Sequence, residues 1–228
     1  MAIYAIGDLH LPGGADKPMN VFGAHWEGHF DRIRQDWREK VTPEDTVLIP
    51  GDISWAMQLK DALPDLMSIG ELPGRKILLR GNHDYWWSSI GRVRRALGEG
   101  MLALQNDSVL IDSRLYAGSR GWTLPGPDFS EDDRRIYARE RLRLEMSLES
   151  ARHRDGEAPI TVMMHFPPLT DEEPGFSDIL ERYGVTDCVY GHLHGPAIYG
   201  AVRGLRGGVR YHQVSCDGLD FKLYLLHP

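Results

Sequence analysis

The chain has 228 residues, of which 42% are hydrophobic, and carries a formal net charge of −7. This length and composition allow a substantial core, so the fold needs neither disulfides nor a structural metal. The acidic balance argues against broad nucleic-acid binding, which usually needs a basic surface. No apolar segment approaches the length that spans a membrane, so no membrane partner is expected.

The first half of the sequence alternates short apolar runs with segments of helical periodicity. Strands are predicted at residues 2–6, 46–49 and 76–79. Helices are predicted from apolar residues at helical spacing in 30–41, 59–67 and 90–97. Strands and helices in this rhythm predict parallel strand pairing with right-handed crossovers.

The second half changes character. Short apolar runs separated by polar turns predict a meander or an added sheet at residues 102–104, 109–111 and 115–117. A long helix is then expected over residues 137–151, and further strands at 160–164 and 188–190. The last part alternates like antiparallel strands at residues 198–202, 209–214 and 221–225. Because the sequence contains no internal repeat or linker, we expect a single domain of residues 1–228.

Five short polar clusters stand where predicted strands end. They are Gly7-Asp8-Leu9-His10, Gly51-Asp52, Gly81-Asn82-His83-Asp84, His165 and Gly191-His192-Leu193-His194-Gly195. Ligands of α/β proteins gather outside the carboxyl ends of the strands, so the five clusters are expected to point at one place. The glycines allow the backbone to turn sharply beside a crowded site.

The side chains of these clusters have the chemistry of a metal site. The candidate ligands are Asp8, His10, Asp52, Asn82, His165, His192 and His194. Carboxylate and amide oxygens mixed with imidazoles suit Mn²⁺, Fe or Zn²⁺ better than Ca²⁺ or Cu⁺. The set is large enough for two metal ions, an arrangement that clamps a phosphate ester during hydrolysis. We therefore expect two divalent ions, with Mn²⁺ favoured and Fe or Zn²⁺ as alternatives.

The pattern resembles the calcineurin-like metallophosphoesterase superfamily along essentially the whole chain. The stretches Gly-Asn-His-Asp-Tyr-Trp-Trp and Gly-Ser-Arg-Gly-Trp also resemble a bacterial and archaeal subgroup of predicted phosphohydrolases. The resemblance implies an α/β fold, a four-layer α/β/β/α sandwich of two mixed sheets. It also implies that Asp52 bridges two metals. The ligands it implies for the first metal are Asp8, His10 and His194, and those for the second are Asn82, His165 and His192.

One segment departs from the superfamily's pattern. Many members carry a second Asp and often an Arg after the Gly-Asp pair, whereas Asp52 is followed by Ile53-Ser54-Trp55-Ala56. The missing Asp would contact the metal ligands without binding a metal itself, so metal binding should survive without it. The missing Arg would grip the phosphate, and its absence counts against protein-phosphatase activity.

The leading hypothesis is a phosphohydrolase acting on a small or medium phosphate mono- or diester. A hydroxide that bridges the two metals attacks phosphorus in line. His83 is not an expected ligand, and it is placed to protonate the leaving oxygen or to stabilise its charge. Asp84 orients His83, as carboxylates orient imidazoles elsewhere, or it caps the helix that contains Ile90.

Two further residues are candidate substrate contacts. Arg120 follows a predicted strand and can hold a phosphate through two hydrogen bonds, with an ordinary salt bridge as the alternative. Trp55 is either a core residue or a pocket wall that stacks on a flat group. A nuclease is a competing function, which the acidic charge disfavours. A non-catalytic scaffold of the same fold is another, which the complete ligand set disfavours.

Location is predicted from the N-terminus and the cysteines. The first residues, Met-Ala-Ile-Tyr-Ala-Ile-Gly-Asp, lack the basic segment and the long apolar run of a signal peptide. The only two cysteines, Cys188 and Cys216, lie in apolar stretches and are expected to be buried thiols. A low cysteine count fits a reducing compartment, so we expect a cytoplasmic protein.

Overall fold

The structure is a computed structural model that describes residues 1–14 and 19–228. Its strands, in chain order, are β1 (Ile3–Ala5), β2 (Thr46–Ile49), β3 (Arg75–Leu78), β4 (Met101–Ala103), β5 (Ser108–Ile111), β6 (Arg114–Ser119), β7 (Ile160–Met164), β8 (Val185–Tyr190), β9 (Gly204–Arg206), β10 (Val209–Gln213) and β11 (Tyr224–His227). Its α-helices are α1 (His29–Lys40), α2 (Leu59–Gly70), α3 (Ile90–Ala96), α4 (Glu131–Arg154) and α5 (Ser177–Arg182). Short 3-10 helices lie at Met19–Phe22, Ala24–Trp26, Gly195–Gly200 and Cys216–Leu219.

The strands form two mixed sheets. The first has the order β11-β1-β2-β3-β4, with β1 to β4 parallel and β11 antiparallel to β1. The second has the order β5-β6-β7-β8-β10-β9. In it, β6, β7, β8 and β10 run parallel, while β5 and β9 are antiparallel edge strands.

Successive side chains of a strand pack alternately into two different cores. In β2, Val47 and Ile49 pack with residues of α1, α2 and α3 on one face of the first sheet. The intervening Leu48 points the other way, into a core with Met163 and Val189 from the second sheet. This two-residue alternation lets one strand serve both layers. The first sheet is therefore covered by helices on one face and by the second sheet on the other.

The second sheet repeats this arrangement. One face packs against Leu144 and Leu148 of α4 and against Ile179 of α5. The other face contributes Tyr116 to the core between the sheets. Helices, sheet, sheet and helices thus stack in the predicted α/β/β/α order, and the predicted fold class is confirmed.

The middle of the chain differs from the predicted meander or added sheet. Strand β4 adds to the edge of the first sheet, parallel to β3. Strands β5 and β6 pair as an antiparallel hairpin in the second sheet. The two apolar runs at 102–104 and 109–111 therefore belong to different layers. The sequence gives no sign of this, because both runs pack into cores of the same apolar character.

The end of the chain also differs from the prediction of three antiparallel strands. Residues 198–202 do not form a strand, since Gly195–Gly200 is a 3-10 helix with Pro196 near its start. Proline has no backbone N–H for a sheet ladder, and the side chain of Tyr199 is 90% exposed. Strand β10 is parallel to β8 and antiparallel only to β9, which was not predicted. Strand β11 leaves the second sheet and pairs antiparallel with β1.

Asp187 of β8 ties the two sheets together at the edge away from the polar clusters. Its carboxylate oxygens lie 3.1 Å from Nε2 of His212 in β10 and 3.0 Å from Nε2 of His227 in β11. Burial alone would raise the pKa of Asp187. Hydrogen bonds from His212 and Thr186 overcome this effect, and the pKa falls to about 2.

We expect Asp187→Asn to lower the free energy of unfolding by about 2 kcal/mol at pH 7, because the carboxylate is bound more favourably in the folded chain. A lowered pKa stabilises the fold above the unfolded value near 4, and this contribution is lost as the pH falls through 2. Urea unfolding of both proteins at pH 7 and pH 3 measures it. A gap that grows toward pH 3 would contradict the assignment.

Cys188 and Cys216 are both buried and unpaired, as the sequence predicted, and burial raises the pKa of each thiol. No helix in the described part of the chain combines the length and apolar character needed to cross a membrane.

Candidate metal centre

The polar clusters lie at the carboxyl ends of strands from both sheets. Asp8, Asp52 and Asn82 follow β1, β2 and β3 of the first sheet. His165 and His192 follow β7 and β8 of the second. Parallel strands bring these ends to one side of the sandwich, as the sequence predicted.

The backbone at several of these side chains is strained. Asp8, His10, Asp52 and His192 all have a positive φ, between 47° and 70°. Residues other than glycine rarely adopt this conformation, and it concentrates at sites where function requires it. The side chains of all four residues face the same cluster of donor atoms.

Two glycines allow the backbone to approach the carboxylates. A Cβ atom at Gly81 would collide with Oδ1 of Asp52, and one at Gly191 would collide with Oδ2 of Asp8. The glycines predicted beside a crowded site therefore have a steric reason at these two positions.

One group of donor atoms comes from Asp8, His10 and His194. Their ligand atoms all lie within 4.8 Å of one another. Nε2 of His10 is 3.4 Å from Nε2 of His194, and Nε2 of His194 is 3.8 Å from Oδ1 of Asp8. This spacing suits a cation among the three side chains.

A second group comes from Asn82, His165 and His192. Oδ1 of Asn82 lies 2.6 Å from Nε2 of His165 and 3.0 Å from Nδ1 of His192. The two imidazole nitrogens are 3.3 Å apart. Three donor atoms again converge on one point.

Asp52 lies between the two groups. Its Oδ2 atom is 3.5 Å from Nε2 of His165 and 3.9 Å from Nε2 of His10. Its Oδ1 atom accepts a hydrogen bond of 2.8 Å from the backbone N–H of His83, which fixes the carboxylate. Asp52, Asp8 and His165 also form a set of donor atoms within 4.8 Å of one another.

Hydrogen bonds outside the cluster fix which imidazole nitrogen faces inward. Nδ1 of His165 lies 3.1 Å from the carbonyl oxygen of Pro50, to which it donates. Burial lowers the pKa of His165 to about 3, so its ring is neutral and carries only that one proton. Nε2 of His165 and Oδ1 of Asn82 therefore direct lone pairs at each other. Lone pairs at this separation repel, and a cation between them removes the repulsion.

His194 is oriented by a residue that the sequence reasoning missed. Its Nδ1 atom lies 2.9 Å from Oδ1 of Asp217, whose Oδ2 accepts from the backbone N–H of Gly195. Burial alone would lower the pKa of His194, but the Asp217 hydrogen bond and the Asp8 carboxylate raise it. Carboxylates that hold the far nitrogen of a metal-binding histidine orient the ring. In the sequence, the Asp217-Gly218 pair shortly after a predicted strand could have indicated that Asp217 lies at the site.

The electrostatics of the cluster favour bound cations. Burial, with a further contribution from Asp52, raises the pKa of Asp8 to about 7. Burial also raises the pKa of Asp52, while it lowers that of His192 to about 3. Adjacent buried carboxylates beside the neutral imidazoles of His165 and His192 fit divalent cations, which offset the repulsion between the carboxylates. The donor chemistry therefore suits the two predicted metal ions.

His83 lies beside the cluster. Its ring centroid is 5.9 Å from that of His10 and 4.5 Å from that of Trp55. Both His83 and Asp52 line a cavity of about 300 Å³ that opens above the donor atoms. His83 therefore lies on the cavity wall next to the donor atoms, and its role in catalysis stays a prediction.

Asp84 has a different role from the predicted ones. One of its carboxylate oxygens accepts from the backbone N–H of Ile53 at 2.8 Å and from Nε1 of Trp86 at 2.9 Å. The other accepts from the backbone N–H of Gly81 at 2.7 Å. The prediction that Asp84 orients His83 is wrong, because the carboxylate points into the core and joins the loops after β2 and β3. The capping alternative also fails, since Ser89 precedes α3.

The two candidate substrate contacts, Trp55 and Arg120, line different cavities. Trp55 lines the cavity above the donor atoms and stacks on His10, with ring centroids 4.8 Å apart and an interplanar angle of 18°. Arg120 lines another cavity and lies 3.8 Å from Glu140, which agrees with the salt-bridge alternative. A grip by Arg120 on a phosphate at the metal centre is therefore not supported.

The wall of the cavity is largely aromatic and apolar. Besides Trp55, it includes Met19, Phe22 and Trp26. Trp26 was not identified from the sequence. Its ring centroid lies 5.8 Å from that of His194, so it adjoins the first group of donor atoms.

The calcineurin-like phosphoesterase family model matches residues 1–196, and the chain belongs to this family. A solved structure with a similar fold is AQ665, a protein of unknown function from Aquifex aeolicus. The alignment has a TM-score of 0.52 and 17% sequence identity, and covers 98% of this chain and 95% of that chain. Identity this low indicates a shared fold only. No curated protein gave a significant match.

Proposed function

We propose that the chain is a phosphohydrolase that needs two divalent metal ions and cleaves a small or medium phosphate mono- or diester. Membership of the calcineurin-like phosphoesterase family supports metal-dependent phosphoester hydrolysis in general. The observation that carries the proposal is the pair of donor groups joined by Asp52, whose Oδ2 atom faces His165 at 3.5 Å and His10 at 3.9 Å.

The proposed ligand assignment follows the two groups. Asp8, His10 and His194 would hold one ion, and Asn82, His165 and His192 the other, with Asp52 shared. Two divalent ions, when bound, supply a deprotonated water as nucleophile and neutralise charge on the phosphate oxygens. The chain's own contribution is to fix these donors through the hydrogen bonds to Pro50, Asp217 and the His83 backbone.

His83 is proposed as the residue that assists the leaving group. It lines the cavity but contributes no donor atom to either group of ligands described above. Its imidazole can therefore give a proton to the leaving oxygen without releasing a metal. Trp55 and Trp26 flank the same space, which suits a leaving group with a flat or apolar part.

We expect the purified protein to hydrolyse p-nitrophenyl phosphate or bis(p-nitrophenyl) phosphate in Mn²⁺ and to lose this activity in EDTA. EDTA removes the metal ions from the carboxylates and neutral imidazoles, and without these ions the site cannot bind the phosphate. Adding back Mn²⁺, Fe²⁺ or Zn²⁺ singly should restore turnover and rank the metals. The ratio of the two rates measures the preference between mono- and diesters.

Other outcomes separate the competing functions. Cleavage of DNA that weakens steeply with salt, in place of hydrolysis of small esters, would indicate a nuclease. Protein that neither binds Mn²⁺ nor hydrolyses either ester would contradict the proposal and favour a non-catalytic scaffold.

A further inference from the structure

A second cavity, of about 470 Å³, lies beside the metal centre and is lined by arginines. Arg80 and Arg120 follow strands β3 and β6, one from each sheet, and Arg139 and Arg143 project from α4. The remaining charged residue of the lining is Glu140. We call this space the arginine cavity.

The charges in the arginine cavity do not balance. Four arginines and a single carboxylate line it, which leaves a formal charge of +3. Glu140 is only 1% exposed, and it already accepts hydrogen bonds of 2.7 Å from Arg143 and 2.8 Å from Ser119. Arg139 and Arg120 approach it only at 3.7 and 3.8 Å. Positive charge therefore accumulates in a protein whose overall charge is −7.

Two of the arginines lack the partners that a shielded guanidinium needs. The half-buried Arg80 side chain forms no hydrogen bond or ion pair with any residue in the described ranges 1–14 and 19–228, and its Nε atom is buried. The Arg120 side chain is 16% exposed and lies over the ring of Trp122 at 4.6 Å, and within the described part of the chain its one ion pair is the long contact with Glu140. Charges that are partly shielded from water and lack a close counter-charge carry a desolvation cost, and an anion between them reduces that cost.

The arginine cavity adjoins the proposed second metal ion. Arg80 directly precedes Gly81 and the ligand Asn82. The carbonyl oxygen of Arg120 accepts hydrogen bonds from the backbone N–H groups of His165 at 3.1 Å and Phe166 at 3.0 Å. An anionic group in this cavity and another at the metal centre would therefore contact neighbouring residues of the same loops.

We infer that the arginine cavity binds a phosphate-type dianion. Planar guanidinium groups form paired hydrogen bonds with phosphate oxygens, and a +3 lining matches a doubly charged group. The dianion is either a second phosphate group of the substrate, in which case the inference rests on the proposed hydrolase function, or free phosphate acting beside the site.

Isothermal titration calorimetry of the full-length protein with inorganic phosphate, in buffer containing EDTA, tests the inference without requiring enzymatic turnover. EDTA prevents phosphate from binding to metal ions, so a failure of hydrolysis would not affect the result. We expect one phosphate to bind per chain. Because the Arg80 side chain has no hydrogen-bond or ion-pair partner in the described chain, Arg80→Gln removes no such interaction and should fold normally, yet weaken phosphate binding about tenfold or more.

Arg135→Gln is the matched control, since Arg135 lies on α4 with Arg139 and Arg143 but pairs with exposed Asp132 outside the cavity. We expect this control to bind phosphate as the wild type does. No phosphate binding by the wild type, or equal binding by the Arg80→Gln variant, would overturn the inference.

Kinetics on the Mn²⁺-loaded protein identifies the source of the dianion. An alkanediol bisphosphate and the monophosphate of the same diol serve as the two substrates. A lower KM for the bisphosphate that Arg80→Gln abolishes would assign the cavity to the substrate. Equal KM values, with Arg80-dependent phosphate binding, would assign it to free phosphate.

Discussion

We expect Asp52→Asn to lower turnover by about 10²–10³-fold or more, the loss that follows removal of one strong electrostatic contact in an active site. The Oδ2 atom of Asp52 faces donor atoms of both ligand groups, so loss of its charge weakens both sites at once. Inductively coupled plasma mass spectrometry on the purified variant should find fewer than two ions per chain.

The control for this variant is Asp65→Asn. Asp65 is another buried carboxylate, which accepts hydrogen bonds from Ser54 and from the backbone N–H of Gly13 but lies outside both ligand groups. The control should retain both metals and wild-type turnover. An Asp52→Asn protein with two bound ions and normal rates would show that Asp52 is not the shared ligand.

We expect His83→Gln to lower turnover by about 10²–10⁴-fold while leaving the metal content unchanged, because proton transfer is lost and no ligand is removed. The loss should depend on the leaving group. An alkyl phosphate, whose leaving oxygen needs a proton, should suffer more than p-nitrophenyl phosphate, whose leaving oxygen does not.

His25→Gln is a suitable control for His83, since His25 lines the same cavity but belongs to neither ligand group. Its turnover should stay near that of the wild type. Equal losses on both esters by His83→Gln would argue that His83 positions substrate and does not transfer a proton. Loss of a metal ion would instead make His83 a support for the ligands.

Much of the proposed ligand set could be predicted because its signals are local. Each of Asp8, Asp52 and Asn82 follows a glycine and stands within three residues of the end of an apolar run, so one short segment indicates both the strand and the side chain that follows it. His165 and His192 follow strands in the same way. The parallel topology then brings these side chains together without further information from the sequence.

The features that were missed depend on contacts between distant segments. Asp217 reaches His194 only because β10 pairs parallel to β8 and places the following turn beside the site. Asp84 is held by Ile53 and Trp86 in the core, whereas its neighbour in sequence suggested a partner in His83. Arg120 was read correctly as following a strand, but α4 supplies the residues that surround it.

The same limit explains the errors in topology. Residues 198–202 have an alternating pattern, yet Pro196 and the two flanking glycines produce a 3-10 helix with no buried residue. Apolar alternation reports which residues are suited to a strand, and it does not report whether a neighbouring strand is available to pair with them. β4 and β5 were placed together because sequence patterns carry no information on which sheet a strand joins.

Each proposed ligand group draws from both sheets, since Asp8 and His10 belong to the first and His194 to the second, while Asn82 faces His165 and His192. Metal binding would therefore link the two sheets at this side of the sandwich, opposite the hydrogen bonds that Asp187 makes with His212 and His227. By mass action, ions that bind only the assembled edge also stabilise it. The supply of metal in the cell would thus set how long the protein resists proteolysis, as well as how fast it works.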